Sequence, residues 1–334
     1  MSTDSSYFFP ASSKLPFAMA FGLLLFVLGS GYTINNLGNE DSNAHWLLFT
    51  SFAVIWGTMF FWFGSVIKEN DSGMYSDQLN QSFVWGMAWF IFSEVMFFFA
   101  FFLALGYVRI FAVPWLGGEG EKGITNILWP AFEASWPLLE SPDNELFPGA
   151  HHCMAMPAFN KLHTWLPFWN TLCLVTSSGT IALAESALKR GNRFFFKFWM
   201  VITLTLGYVF VFLQGLEYYE AYSHMGLTLG AGIYGTTFFL MTGFHGFHVC
   251  LGAIILTIMT IRGFGGAFSD HDHFGLAAGS WYWHFVDVVW ILLVLVVYIF
   301  YPQGEFTVSW PLYIPTATVN KRRRAIDTLI LKVY

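Results

Sequence analysis

Seven long apolar runs constrain this chain more than anything else in it. They cover roughly residues 15–34, 44–67, 79–109, 162–188, 194–222, 232–262 and 276–301. A helix needs about 20 mostly apolar residues to cross about 30 Å of hydrocarbon, and each run is long enough. The runs are continuous, whereas barrel strands would be short segments of alternating polarity. The sequence therefore predicts an all-α, polytopic membrane protein with seven transmembrane helices. Turn chemistry separates several of the runs: Asn35-Asn36-Leu37-Gly38, Asn70-Asp71-Ser72-Gly73, Arg190-Gly191-Asn192 and Gly263-Phe264-Gly265-Gly266. The third run exceeds what a bilayer requires and is expected to tilt or to project into water. Only Lys14 precedes the first run closely, with no small-residue cleavage site, so it reads as an uncleaved span.

Composition excludes other classes. Charged residues make up 11% of the chain, against roughly 25% in a soluble domain. The 39 Phe, 15 Trp and 14 Tyr are more than a soluble core of this length could bury. No nucleic-acid partner is expected, because the net charge is -6 and the 15 Lys and Arg are spread thinly. The one basic run, Lys321 to Arg324, lies in the C-terminal tail. Cys153, Cys173 and Cys250 form no CxxC and suggest neither a disulfide framework nor a zinc site.

Basic residues orient the spans. With the N-terminus in the cytoplasm, the inner segments hold Lys14, Lys68, Lys189, Arg190, Arg193, Lys197 and Arg262, and the two short outer loops hold no Lys or Arg. This orientation places the C-terminus in the periplasm. The long outer loop at 110–161, rich in Trp, Pro, Gly and acidic residues, is expected to fold as a small cap, with Trp129 and Trp136 as headgroup anchors. Its His151-His152 pair reads as solvent-exposed rather than metal-binding. Three segments are expected: a two-helix segment at 1–75, a five-helix bundle at 76–302 that includes the loop, and a tail at 303–334.

Ionisable residues inside a bilayer are costly, and each is a functional hypothesis. Glu94 stands mid-span, with Phe90, Ile91, Phe97 and Phe98 one turn away on its helical face. Such surroundings favour a neutral acid over a carboxylate. The reading is a protonatable carboxyl, and the plainer alternative is an acid that bonds a neighbouring helix for packing. His245 and His248 stand three residues apart, as do His284 and Asp287, so each pair shares a face. Haem or copper ligation is the sharper reading of these imidazoles, and interhelical hydrogen bonding is the preferred one. Gln214, Glu217 and Glu220 form a polar stripe along the fifth span. Gly235, Gly243, Gly246 and Gly252 lighten the sixth and permit close helix approach. No nucleophile elbow, phosphate loop or HExxH occurs, so the chain is not expected to be catalytic by itself or to hold a metal.

Several segments in order resemble subunit III of the haem-copper cytochrome c oxidases. They are Ser93-Glu94-Val95-Met96-Phe97-Phe98, Glu217-Tyr218-Tyr219-Glu220-Ala221, Gly232-Ile233-Tyr234-Gly235-Thr236-Thr237-Phe238-Phe239, Thr242-Gly243-Phe244-His245-Gly246-Phe247-His248, and His273-Phe274-Gly275 followed by Trp281-Tyr282-Trp283-His284-Phe285-Val286-Asp287-Val288-Val289-Trp290. The resemblance implies a cofactor-free accessory subunit that flanks subunit I, with subunit II as a further partner and haem a and copper held by those partners. It implies a 2 + 5 arrangement of helices around a V-shaped cleft filled with phospholipid, which supports proton uptake, durable turnover and oxygen access. It also implies that Glu94 is the carbodiimide-reactive carboxyl beside that cleft. Lys68, Glu69 and Arg262, at inner span ends, are the expected contacts for lipid headgroups.

The chain departs from the family pattern at Glu185-Ser186 after Ala184, where a His pair is frequent, and around Met74-Tyr75, where a His is usual. The long loop and tail suggest a bacterial aa3-type protein of the plasma (inner) membrane. A proton-coupled transporter using Glu94 is the alternative from another class. It would be expected to show internal symmetry and broken helices.

Overall fold

A computed structural model describes residues 12–36, 43–268 and 273–299. The tail at 303–334, with its basic run, lies outside the described residues. Among the described residues eight α-helices form: α1 Leu15–Asn35, α2 Ala44–Asp71, α3 Asp77–Tyr107, α4 Val113–Leu116, α5 Leu166–Lys189, α6 Arg193–His224, α7 Gly232–Phe264 and α8 Phe274–Leu293. Among the described residues seven helices are long and apolar enough to cross a membrane, α4 being joined to α3. Helices are the expected solution, because hydrocarbon offers no partner to a backbone N–H or C=O. By its contacts the chain divides into two compact units, Met1–Glu94 and Val95–Tyr334.

In the first unit α1 packs against α2. The two buried residues of α1 are Gly22 and Gly29. A Cβ on Gly29 would lie 2.9 Å from the backbone nitrogen of Leu48, so only glycine permits the two backbones to approach this closely. Phe17, Phe60 and Phe61 are among the many rings exposed on this unit, a surface suited to lipid.

The turn after α2 is held by a tyrosine clamp. Gly73, at φ 68, reverses the chain, and the Tyr75 hydroxyl reaches back to the Val66 carbonyl at 3.1 Å and Glu69 Oε2 at 3.0 Å. Burial, the bond to Glu69 and the charge of Glu69 push the Tyr75 phenol up to about 12. A phenol raised in the folded state contributes stability that is fully present below its ordinary value near 10 and is lost as pH climbs through about 12. The difference between the ultraviolet titrations of the parent and of Tyr75→Phe should therefore be a single late-ionising tyrosine. A difference titration centred near the ordinary value would show that the clamp does not form.

In the second unit α5 packs on α6 and α8, and α7 packs on α6 and α8. The last span is the most enclosed and the first three are the least. Trp283 occupies the interior, 1% exposed. A Cβ added at Gly207 of α6 would lie 2.8 Å from the Trp283 ring, and one added at Gly252 of α7 would lie 2.9 Å from it, so the indole is wedged between two glycine surfaces. Its Nε1 donates to Ser177 Oγ at 2.9 Å on α5. Further hydroxyls bridge the helices: Thr180 to Thr203 at 2.8 Å, Tyr218 to Thr242 at 2.7 Å, Tyr208 to Thr257 at 2.9 Å, and Trp290 Nε1 to Thr171 at 3.0 Å. In lipid, where apolar burial drives little helix association, such close packing and side-chain bonding supply the specificity.

The third span is longer than the sequence predicts. After α3 the helix widens into a π segment at Val108–Ala112 and continues as α4 to Leu116. Pro114 has no N–H to offer the preceding turn, and the widening accommodates it. The fourth span starts later than predicted, because Phe159–Thr164 is a 3-10 turn and α5 begins at Leu166, with Pro167 in its first turn.

The expected cap forms. Val113, Phe132 and Leu138 are its buried centre, with Leu116, Trp129, Trp136 and Ile233 packed around them. Asn126 Nδ2 donates to the carbonyls of Leu116 at 2.9 Å and Trp129 at 3.1 Å, tying the loop to the end of α4. Trp136 sets its edge against Tyr234 of α7 at 6.0 Å and lies under Arg109. Two backbone bonds seat the cap on the bundle: Met154 N donates to the Tyr234 hydroxyl at 3.1 Å, and Met156 N donates to the Tyr298 carbonyl at 3.1 Å. His151 and His152 are exposed, and both donate their backbone N–H to the Met225 carbonyl.

Candidate functional site

The most developed polar site lies in the second unit, near the cap end of α5, α6 and the last span. Glu217 is fully buried on α6. Tyr298 donates its hydroxyl to Glu217 Oε1 at 2.5 Å, and Asn170 of α5 donates Nδ2 to Glu217 Oε2 at 3.0 Å and to Gln214 Oε1 at 3.5 Å. Tyr298 belongs to a π segment, Val294–Ile299, that continues α8. Three elements thus converge on one carboxyl. Gln214 and Glu217 belong to the stripe visible in the sequence. Asn170 and Tyr298 are its missed partners, one a lone amide in an apolar run and the other one of many aromatics near a span end.

The histidines sit apart from this network. His245 is fully buried on α7, and its Nε2 lies 3.1 Å from the carbonyl oxygen of Val286 on α8. Its interhelical bond thus goes to backbone rather than to the neighbouring Asp287 carboxyl. His248 Nδ1 lies 2.6 Å from the carbonyl of Phe244, one turn earlier on its own helix, and its ring packs against Phe98 at 5.1 Å. His284 is half-buried, and Asp287 is buried with Oδ1 unpaired among the described residues. Among the described residues no three His, Cys, Asp or Glu side chains converge as a metal site.

Glu94 is half-buried on α3, in a stretch whose Phe90, Phe92, Val95 and Met96 are exposed. Lys68 and Glu69 end α2 in the first unit, where Glu69 is engaged by Tyr75. Arg262 lies in the second unit, with its guanidinium 5.8 Å from the Phe268 ring centroid. Beside it, Lys197 Nζ donates to the Phe264 carbonyl at 3.4 Å and Arg193 donates to Phe268 O at 3.3 Å, so cations collect at the negative end of the α7 dipole. Glu185 pairs with Lys189 one turn on at 2.8 Å.

The family model described as Cytochrome c oxidase subunit III matches residues 5–119 and 123–301, on both sides of the cap's first turn. The chain belongs to the cytochrome c oxidase subunit III family. Among its curated relatives, Cytochrome c oxidase subunit 3 of Loxodonta africana is 37% identical over 242 residues, 72% of this chain and 78% of that one. The proteins of the same description from Oryctolagus cuniculus and Arabidopsis thaliana are each 35% identical, over 72% of this chain and 78% and 77% of theirs. Membership accounts for the seven apolar helices and makes the chain a subunit-type component of a respiratory oxidase. Of the network's residues, Glu217 itself lies in one of the segments that carry the resemblance, Glu217-Tyr218-Tyr219-Glu220-Ala221.

Proposed function

We propose that this chain is an accessory, cofactor-free subunit III of a proton-pumping cytochrome c oxidase in a bacterial plasma membrane, with its N-terminus cytoplasmic and its C-terminus periplasmic. Its partners in this reading are subunits I and II, which hold haem a and copper, and phospholipid between its first two spans and the rest. Lys68, Glu69 and Arg262 meet lipid headgroups, and Glu94 is a protonatable carboxyl approached from the lipid side. The family match along both units carries the reading. Two features support it further. The two innermost imidazoles are bonded to backbone carbonyls rather than gathered for a metal, and Glu94 stands among exposed apolar side chains.

Extraction in mild detergent tests the proposal. The chain should co-migrate with haem a absorbance and two further subunits, and separation of the subunits should leave it without iron or copper. In the same complex a hydrophobic carbodiimide should label Glu94, and Glu94→Gln should abolish the label while leaving oxygen reduction largely intact. A colourless chain that purifies alone would refute the oxidase reading. Loss of oxygen reduction at normal haem content would make Glu94 a direct participant instead.

A further inference from the structure

The Glu217 network has an opening to water that the subunit's accessory role does not use. A cavity of about 70 Å³ lies under the cap, lined by Cys153, Met154, Ala155, Trp165, Pro167 and Glu220 among others. That is room for a few water molecules, since one needs about 10–15 Å³ by this measure. Asn170 stands one helical turn below Leu166 and Pro167 on α5, and Glu217 stands one turn below Glu220 on α6. The network is therefore the next layer beneath the cavity floor on both helices.

Polar atoms mark the way down. Trp165 Nε1, at the cavity wall, is buried without a hydrogen-bond partner among the described residues, and so are Asn170 Oδ1 and Gln214 Nε2 beside the carboxyl. Asn170 is 0% exposed and Gln214 is 6% exposed, so neither reaches bulk solvent. A buried donor and a buried acceptor in this position are ordinarily met by internal water.

We propose that Glu217 is a proton-exchange site served from the aqueous phase at the cap end, through the cavity at Glu220. The ligand is the proton, delivered by water. In the ionised state Tyr298 and Asn170 both donate to the carboxylate. When a hydronium in the cavity gives up its proton, one carboxylate oxygen becomes a hydroxyl and a neutral water remains. The Asn170 amide, by turning over, offers its unpaired Oδ1 as acceptor for the new O–H. The titratable groups around the site are Tyr298 from the last span, Tyr218 and Glu220 from α6, Tyr234 from α7 and Cys153 from the cap; α5 contributes only the neutral Asn170.

Infrared difference spectroscopy on the detergent-extracted complex, stepped in pH and exchanged from H2O into D2O, tests the proposal. One protonated-carboxyl C=O band should appear with falling pH, be absent in Glu217→Gln, and move in Tyr298→Phe, which keeps the carboxyl and serves if the first variant does not assemble. Ala155→Trp, which fills the cavity, should slow deuteration of that band by at least about tenfold, as expected when a local route rather than global opening controls exchange. Spectra of the parent and of Glu217→Gln that coincide at every pH, or a band unmoved in Tyr298→Phe, would overturn the assignment. A band that deuterates equally fast with the cavity filled would overturn the route.

Discussion

Replacing Gly252 by Val should cost about 1–3 kcal/mol, the range for forcing extra methyl groups into a packed interior, and Gly207→Val should do the same. The Trp283 ring cannot retreat from either substitution. Gly207 and Gly252, on two different helices, each lie against the six-membered ring of the indole, whose Nε1 is held by Ser177 on a third. The loss would be read as a lower temperature for release of this chain from the purified complex. Combining Gly252→Val with Trp283→Leu should recover part of the loss, because the clash and the ring are removed together, and that coupling identifies the cause. If Gly252→Val proves neutral, the indole is not wedged as described.

Glu217→Leu should be at least as damaging. It strands the Tyr298 hydroxyl and the Asn170 amide, each buried, at about 1–3 kcal/mol apiece. Glu217→Gln should cost much less. One amide oxygen can still accept from Tyr298, and Asn170, turned over, can accept from the new NH2 with the oxygen now unpaired. Thermal release of the subunit should therefore rank parent, Gln and Leu in falling order. Equal stability of Gln and Leu would mean that shape, not hydrogen bonding, governs the site.

The spans were legible because lipid demands unbroken apolar length, and the turns were legible where glycine must take a positive φ, as at Gly73, Gly191 and Gly266. Span ends were harder. Proline ordinarily marks a boundary, yet Pro114 is carried inside a helix by the π widening ahead of it, whereas Pro167 sits in the first turn of α5 and moves its start inward. Within the spans, acidic residues and histidines drew attention because charge is costly there. Glu217 could be seen on that ground, but Asn170, Ser177, Thr180 and Thr203 could not, since a lone amide or hydroxyl in an apolar run carries no sign of which helix it will meet. Trp283 stands out in the sequence only as part of a motif. Its two glycines lie far from it in sequence, and only the fold brings them against its ring.

The two π segments, Val108–Ala112 and Val294–Ile299, both lie where a span meets the cap. A widened turn holds one residue more than an α turn needs, and in the second the Tyr298 carbonyl receives Met156 N from the cap. Such turns act as expansion joints. A residue gained or lost near the membrane exit can be taken up there while the side chains deeper in the span keep their bearings. The cap can thus change in length without rotating Trp283 or Trp290 out of the interior.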